Sequence, residues 1–204
     1  RWRWPLYDTD HGFNTPNANF LTFLNLDNMT KHEFTTVLIK GLLANEEFRN
    51  KFINRYADLL NSTFEPDIVV GKIDSMQGAL ENEITFDSIE QWNANVDKMR
   101  IFARIRPDIT RAHFVERFRL GGTTKLNIFV RGKGSVHVNT LEINEFPKEV
   151  TYFRTISVPI KATPAFGYKF VGWESSGAVL TSTEDKNTQA TFRIQESKIV
   201  GNFE

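Results

Sequence analysis

Gly121-Gly-Thr-Thr-Lys-Leu-Asn-Ile-Phe-Val-Arg-Gly-Lys-Gly134 is where the chain changes its period. Before it, apolar residues recur every three or four positions, the spacing that lines one face of a helix. From Leu126 they alternate with polar residues (Leu126, Ile128, Val130), the spacing that lines one face of a strand. The switch predicts an α+β two-part chain: a mostly α-helical part over residues 1–120, then a small all-β sandwich-like domain over residues 121–204.

Downstream of the switch, Gly132-Lys-Gly134 reads as a hairpin turn, with Val136 and Val138 on the returning strand. Ile156, Val158 and Ile160 form another strand, in which Pro159 argues for an edge or a bulge. Tyr168 to Trp173, Thr188 to Ile194 and Ile199 to Phe203 continue the pattern, with turns such as Asp185-Lys-Asn187 between them. About seven short strands at this spacing predict a sandwich or an open barrel.

Upstream, Thr30-Lys-His-Glu33 has the form of a capping box opening a helix with Phe34, Val37, Leu38 and Leu42 on its inner face. Asn45 caps a second helix, buried through Phe48, Phe52, Tyr56, Leu59 and Leu60. Pro66 suits the first turn of a third, which carries Val69, Val70, Ile73, Met76 and Leu80. Asp87 or Ser88 caps a fourth with Ile89, Trp92, Val96, Met99 and Phe102, and Pro107 opens a fifth that runs to Phe118.

Composition narrows the functional classes. The 204 residues are 40% hydrophobic and 25% charged, an ordinary globular balance, and the 18 Phe imply aromatic cores. A formal net charge of zero gives no global pull toward nucleic acid or anionic lipid. No run is long enough for a membrane span and no signal peptide is present. With no Cys there are no disulfides and no thiolate metal sites. The chain opens on Arg-Trp-Arg-Trp without an initiator Met, which predicts a fragment whose upstream sequence is missing.

Chemistry concentrates at that opening. Asp8 and Asp10 are two apart, so on an extended backbone both carboxylates share a face. Like charges that close repel unless a cation or a set of donors lies between them, and a hard divalent ion takes such oxygens. The other reading is a pair of solvated turn formers that cap local amides. His11 adjoins the pair as a further ligand or as a solvated turn residue, whereas His32, His113 and His137 are scattered and read as structural. Arg1 and Arg3 alternate with Trp2 and Trp4, so an exposed basic face backs a buried aromatic one. Arg100, Arg104, Arg106, Arg111, Arg117 and Arg119 crowd the end of the helical part, as a solvated face or as a site for a phosphate or an acidic partner. No nucleophile elbow, phosphate loop or dinucleotide fingerprint occurs.

The stretch Trp2-Arg-Trp-Pro-Leu-Tyr-Asp-Thr-Asp-His-Gly-Phe13 resembles the Trp-x-hydrophobic-x-Asp-x-Asp-x-x-Phe-Gly signature of the CotH kinase-like family, of the spore-coat protein CotH type. Further matches follow in order. They are Leu42-Leu-Ala-Asn45 with Phe48, Phe52 and Arg55, then Leu59-Leu-Asn-Ser-Thr-Phe64, then Trp92, Val96, Met99, Arg100, Phe102, Ala103 and Arg106. The resemblance implies the C-terminal portion of an atypical protein-kinase-like fold, with a metal-binding role for Asp8 or Asp10. It further implies Mg²⁺ (or Mn²⁺) with ATP in the complete protein, and catalytic and nucleotide-contacting residues upstream of Arg1. This polypeptide alone is then expected to be inactive, and a protein substrate or a cell-surface partner is expected for the whole. The family's Phe-Gly appears here as Phe13-Asn14, a departure in keeping with a degenerate, non-enzymatic scaffold as the alternative.

The run Ala162-Thr-Pro-x-x-Gly167-Tyr-x-Phe-x-Gly-Trp173, closed by Ala190-x-Phe192 and Asn202-Phe203, resembles the β-repeat modules of bacterial surface proteins. That implies a spacer or adhesion module and an extracellular, periplasmic or cell-surface location.

Overall fold

A computed structural model describes residues 12–25, 33–84 and 88–204. The expected caps Thr30 and Asp87 lie outside the described residues. Among the described residues helices precede strands as expected: α1 (Glu33–Ala44), α2 (Glu46–Leu60), α3 (Pro66–Leu80) and α4 (Ile89–Phe118) come before nine strands. Backbone contacts divide the chain into two compact units, residues 1–18 with 63–110 and residues 19–62 with 111–204, so α4 begins in one and ends in the other.

In the first unit, Pro66 occupies the first turn of α3, where its fixed φ suits the helix and its missing N–H costs nothing. The Glu65 carboxylate accepts the N–H groups of Asp67 (3.0 Å) and Ile68 (3.2 Å). Val70 and Ile73 bury against Val96 and Ala103, with Val69, Trp92 and Met99 half-covered around them. Met76 and Leu80, expected inside, are exposed, because this small cluster covers only the first half of the α3 stripe.

Pro107 does not open a fifth helix; it sits inside the continuous α4. A proline there forfeits one backbone hydrogen bond and crowds the preceding turn, at about 3 kcal/mol. Buried anchors on either side (Ala103, then Thr110 and Phe114) hold the helix through it.

The second unit is built on two sheets. One has the order β4-β1-β9-β6, from Lys148–Phe153, Thr123–Arg131, Glu196–Phe203 and Phe170–Ser176. The other has the order β3-β2-β5-β8-β7, from Leu141–Ile143, Gly134–Val138, Ser157–Pro164, Asn187–Phe192 and Ala178–Leu180. Every pairing is antiparallel except β1 with β9, which run parallel from Lys125↔Glu196 to Arg131↔Asn202. The alternation read from the sequence holds, since Leu126, Ile128, Val136, Val138, Val158, Ile160 and Ile199 are all buried.

Gly132-Lys-Gly134 is not a hairpin turn, because β1 and β2 belong to different sheets. Gly132 has φ +85, and a Cβ there would stand 2.0 Å from the Phe203 carbonyl oxygen, so only glycine lets the chain cross at that point. Pro159 is likewise not on an edge strand, since β5 is central. Its carbonyl accepts the Asn139 N–H at 2.7 Å, beyond the last β2 pair, Val138↔Ile160. A strand residue's N–H points to the same side as its carbonyl, so the missing donor falls where the β2 ladder has already ended.

α1, α2 and the last turns of α4 share this unit's core. Phe114 lies within ring contact of Phe20, Phe52, Tyr56, Phe118 and Phe153, at centroid separations of 4.5–6.2 Å. This cluster absorbs much of the phenylalanine content. On α1 the inward face carries Leu43 and Ile39, while Val37, Leu38 and Leu42, expected inside, are exposed.

Candidate functional site

Asp8, Asp10 and His11 lie outside the described residues, which begin at Gly12 on the outgoing side of the acidic couplet. Gly12, Phe13 and Asn14 form a turn, with Phe13 in the left-handed region at φ +57. A bulky L-residue there costs about 1–2 kcal/mol, so neighbouring contacts must hold it. The Phe13 ring packs on Phe102 of α4, centroids 5.0 Å apart. Arg106, one turn further along α4, lies 5.8 Å from the Phe102 ring centre. Its guanidinium donates to the Pro16 carbonyl and, at 2.7 Å, to the Ala18 carbonyl. Three side chains thus tether residues 13–18 to one face of α4. Phe102 and Arg106 fall there because they are four apart on a helix.

The other arginines of the crowded stretch separate by partner. Arg100 bridges Asp74 (2.7 Å) and Asp97 (2.7 Å) and also donates to Gln77; those carboxylates, Asp74 first, push its guanidinium above its ordinary range. Arg104 pairs with Asp67 at 3.5 Å. Arg111 donates to the Leu60 carbonyl at 3.3 Å and reaches Asn61. Arg117 and Arg119 instead line a cavity together with Lys40 and Arg49.

A polar centre that sequence reasoning missed lies on α2. Asp58 is fully buried, and its Oδ2 accepts the Thr140 hydroxyl (2.5 Å), the Asn139 amide (2.6 Å) and the Thr140 N–H (3.2 Å). Its Oδ1 accepts the Tyr152 hydroxyl at 2.5 Å. Burial, and then the Asp58 charge, push that phenol well above the ordinary tyrosine range. Arg55 donates to the Thr140 hydroxyl at 2.6 Å, which brings a positive charge one hydrogen bond away from the carboxylate. On the same helix face, Asn54 donates to the Ser157 carbonyl (2.8 Å). The Asn61 amide pairs with both backbone groups of Thr151 (2.8 and 2.9 Å). Positions 54, 58 and 61 are spaced as i, i+4 and i+7, a polar stripe visible in the sequence beside the apolar one. With four donors on one carboxylate, Asp58 joins α2 to strands β2 to β4 and has no room for chemistry.

No group of three or more His, Cys, Asp or Glu among the described residues is placed to hold a metal ion. His137, read as structural, lies on β2 at 4.0 Å from the Glu142 carboxylate. No helix of the described residues is long and apolar enough to cross a membrane.

The described helices are followed by a two-sheet β module, an α+β two-part chain. The sequence model of the CotH kinase protein family matches residues 1–110, and that of the divergent InlB B-repeat domain matches residues 145–204. The first match spans more than half of the 204 residues, and the chain belongs to the CotH kinase protein family. No curated protein and no solved structure matches the chain. The B-repeat match takes in β4 to β9, whereas β1 completes one sheet between β4 and β9, and β2 stands between β3 and β5 in the other.

Proposed function

We propose that this chain belongs to a secreted or surface-attached atypical protein kinase that transfers the terminal phosphoryl group of ATP to a protein substrate. The observation that carries the reading is the family match over residues 1–110, which includes the acidic couplet and the α4 residues that tether the turn after it. Phosphoryl transfer depends on positioning and on stabilising charge on the transferred group. The donor set of Asp8 and Asp10 suits Mg²⁺ or Mn²⁺, hard ions that prefer carboxylate oxygen. When bound, such an ion neutralises phosphate charge. Phe13 on Phe102, and Arg106 on the carbonyls of Pro16 and Ala18, hold residues 13–18, the turn that follows the couplet in sequence, against α4. The β module carries no chemistry in this reading and attaches or spaces the kinase part at the cell surface.

The test is calorimetric titration of the natural full-length protein with ATP and Mg²⁺. At least one of Asp8→Asn and Asp10→Asn is expected to weaken metal-dependent ATP binding by about ten-fold or more, the equivalent of one charge-assisted contact. Unchanged binding in both variants defeats the metal role.

A second reading, a non-enzymatic surface scaffold with a degenerate kinase part, draws on the turn itself. Phe13-Asn14 replaces the family's Phe-Gly, and Phe13 holds a φ of +57. Phosphoryl transfer to any protein acceptor by the full-length protein would rule it out.

A further inference from the structure

Three cations of the four-stranded sheet have partners on neighbouring strands. Lys125 lies 3.6 Å from Glu149, Arg131 pairs with Glu174, and Lys198 stands 4.7 Å from the centre of the Phe129 ring. Lys161, on the central strand of the other sheet, is different: its ammonium makes no ion pair and no hydrogen bond among the described residues. Directly across from it stand His137 on β2 and Asn187 on β8, and one row on, Gln189 stands across from Pro159. Side chains of directly opposed residues leave a sheet on the same side. Together with Asn139 these residues line a cavity of about 360 Å³, and all of its lining falls within residues 134–189, every one of which is described. Parts of the cavity wall are held in place. The Asn139 amide donates to the buried Asp58 at 2.6 Å, and the Asn139 N–H to the Pro159 carbonyl at 2.7 Å. The Gln189 Oε1 accepts the Ser157 hydroxyl at 3.0 Å, which leaves its NH2 unspent, and the Asn187 side chain has no hydrogen-bond partner among the described residues. Groups already held lose less freedom when a ligand arrives.

The chemistry of the lining decides what that ligand is. With His137 neutral, Lys161 brings one full positive charge, which suits a carboxylate better than a phosphate dianion. The amides of Asn187 and Gln189 offer unspent hydrogen-bonding groups of the kind that hydroxyls satisfy. Pro159 supplies saturated C–H surface, and no Phe, Tyr or Trp among the described residues lines the cavity to stack a flat aromatic ligand. A carboxylate, a set of hydroxyls and a saturated ring face occur together in a uronic acid, and the cavity is at the small-ligand end of the usual size range. We infer that the Lys161 cavity on the five-stranded sheet binds a uronate unit of an acidic polysaccharide, with the carboxylate on Lys161, hydroxyls on Asn187 and Gln189, and the sugar ring over Pro159. Such a ligand gives the β module a means of attachment that does not depend on phosphoryl transfer by the helical part.

The test is an amide NMR titration of the isotopically labelled 204-residue chain with trigalacturonic acid, at neutral pH and constant ionic strength, with EDTA present to exclude metal bridging. Saturable shifts centred on β2, β5 and β8 are expected. Lys161→Gln should weaken binding by about ten-fold or more, and Lys198→Gln, which removes the same charge from the other sheet, by less than about two-fold. The methyl ester of the trisaccharide, with the same rings and no charge, should bind the wild type about ten-fold or more weakly than the acid does, and so should acetate, a carboxylate without a ring. Shifts that do not saturate, an equal loss in the two variants, an ester that binds as tightly as the acid, or acetate that binds as tightly as the trisaccharide overturns the inference. If the amide spectrum shows Lys161→Gln unfolded, Asn187→Ala takes its place, and affinity unchanged from the wild type overturns the inference.

Discussion

The two units differ most in what holds them together. Around residues 63–110 the described core is a cluster of Val70, Ile73, Val96 and Ala103, and Ile68, Met76, Leu80, Ile101 and Ile105 stay exposed. The unit's named ionic contacts, Arg100 with Asp74 and Asp97 and Arg104 with Asp67, involve exposed carboxylates, and such pairs contribute little. Around residues 19–62 and 111–204 a continuous core runs from Leu21 through Phe114 into both sheets, and a buried carboxylate with four donors locks a helix to it. Stability is therefore concentrated in the second unit. The turn beside the acidic couplet, the feature tied to the proposed chemistry, sits in the first. Segments that bind ligands are commonly drawn from the less stable part of a protein.

The largest effect that would sharpen this contrast comes from Phe114→Ala. Removing a fully buried ring from a cluster of five others is expected to cost about 3–5 kcal/mol in global unfolding by denaturant. Val96→Ala in the smaller core should cost about 1–2 kcal/mol, from two methyl groups. Equal losses would break the contrast.

Tyr152→Phe comes next, at about 2 kcal/mol near neutral pH, because it removes one hydrogen bond to a buried carboxylate. It also changes the pH dependence in a defined direction. The folded state holds the Tyr152 proton more tightly than the unfolded chain does, so that stabilisation is complete below the unfolded tyrosine value of about 10 and is lost as pH rises above it toward the raised folded value. Denaturant melts of the wild type between about pH 9 and 11 should therefore show a steeper alkaline loss than those of Tyr152→Phe. Parallel profiles would remove Tyr152 from the account.

What could be read from the sequence was local. Strict alternation at Leu126, Ile128 and Val130 identified β1, and Pro66 as a first-turn residue marked the start of α3. Partnership was not legible. Gly132 and Gly134 supply the conformations of a tight reversal whether the flanking strands pair or part, so the sheet switch had no signature of its own. Periodicity marks the apolar face of a helix without naming the core it joins, which is why Val37, Leu38 and Leu42 looked buried and are not. The polar stripe of Asn54, Asp58 and Asn61 was visible but reads as solvent-facing until the β strands that receive it are in place. At the candidate site, the Asp8–Asp10 couplet stands out in the sequence, whereas the anchoring of Phe13 and Arg106 depends on contacts across about ninety residues of chain.

Native-state hydrogen exchange on the 204-residue chain, resolved by residue, tests the contrast between the units most directly. Amides of α2 and of residues 111–118 should exchange together with β1, β5 and β9, in the slowest class, while those of α3 and of residues 89–110 exchange through an earlier opening. If α2 instead opens with α3, ahead of the strands, then Asp58 and the aromatic cluster do not hold that helix to the sheets and the account fails.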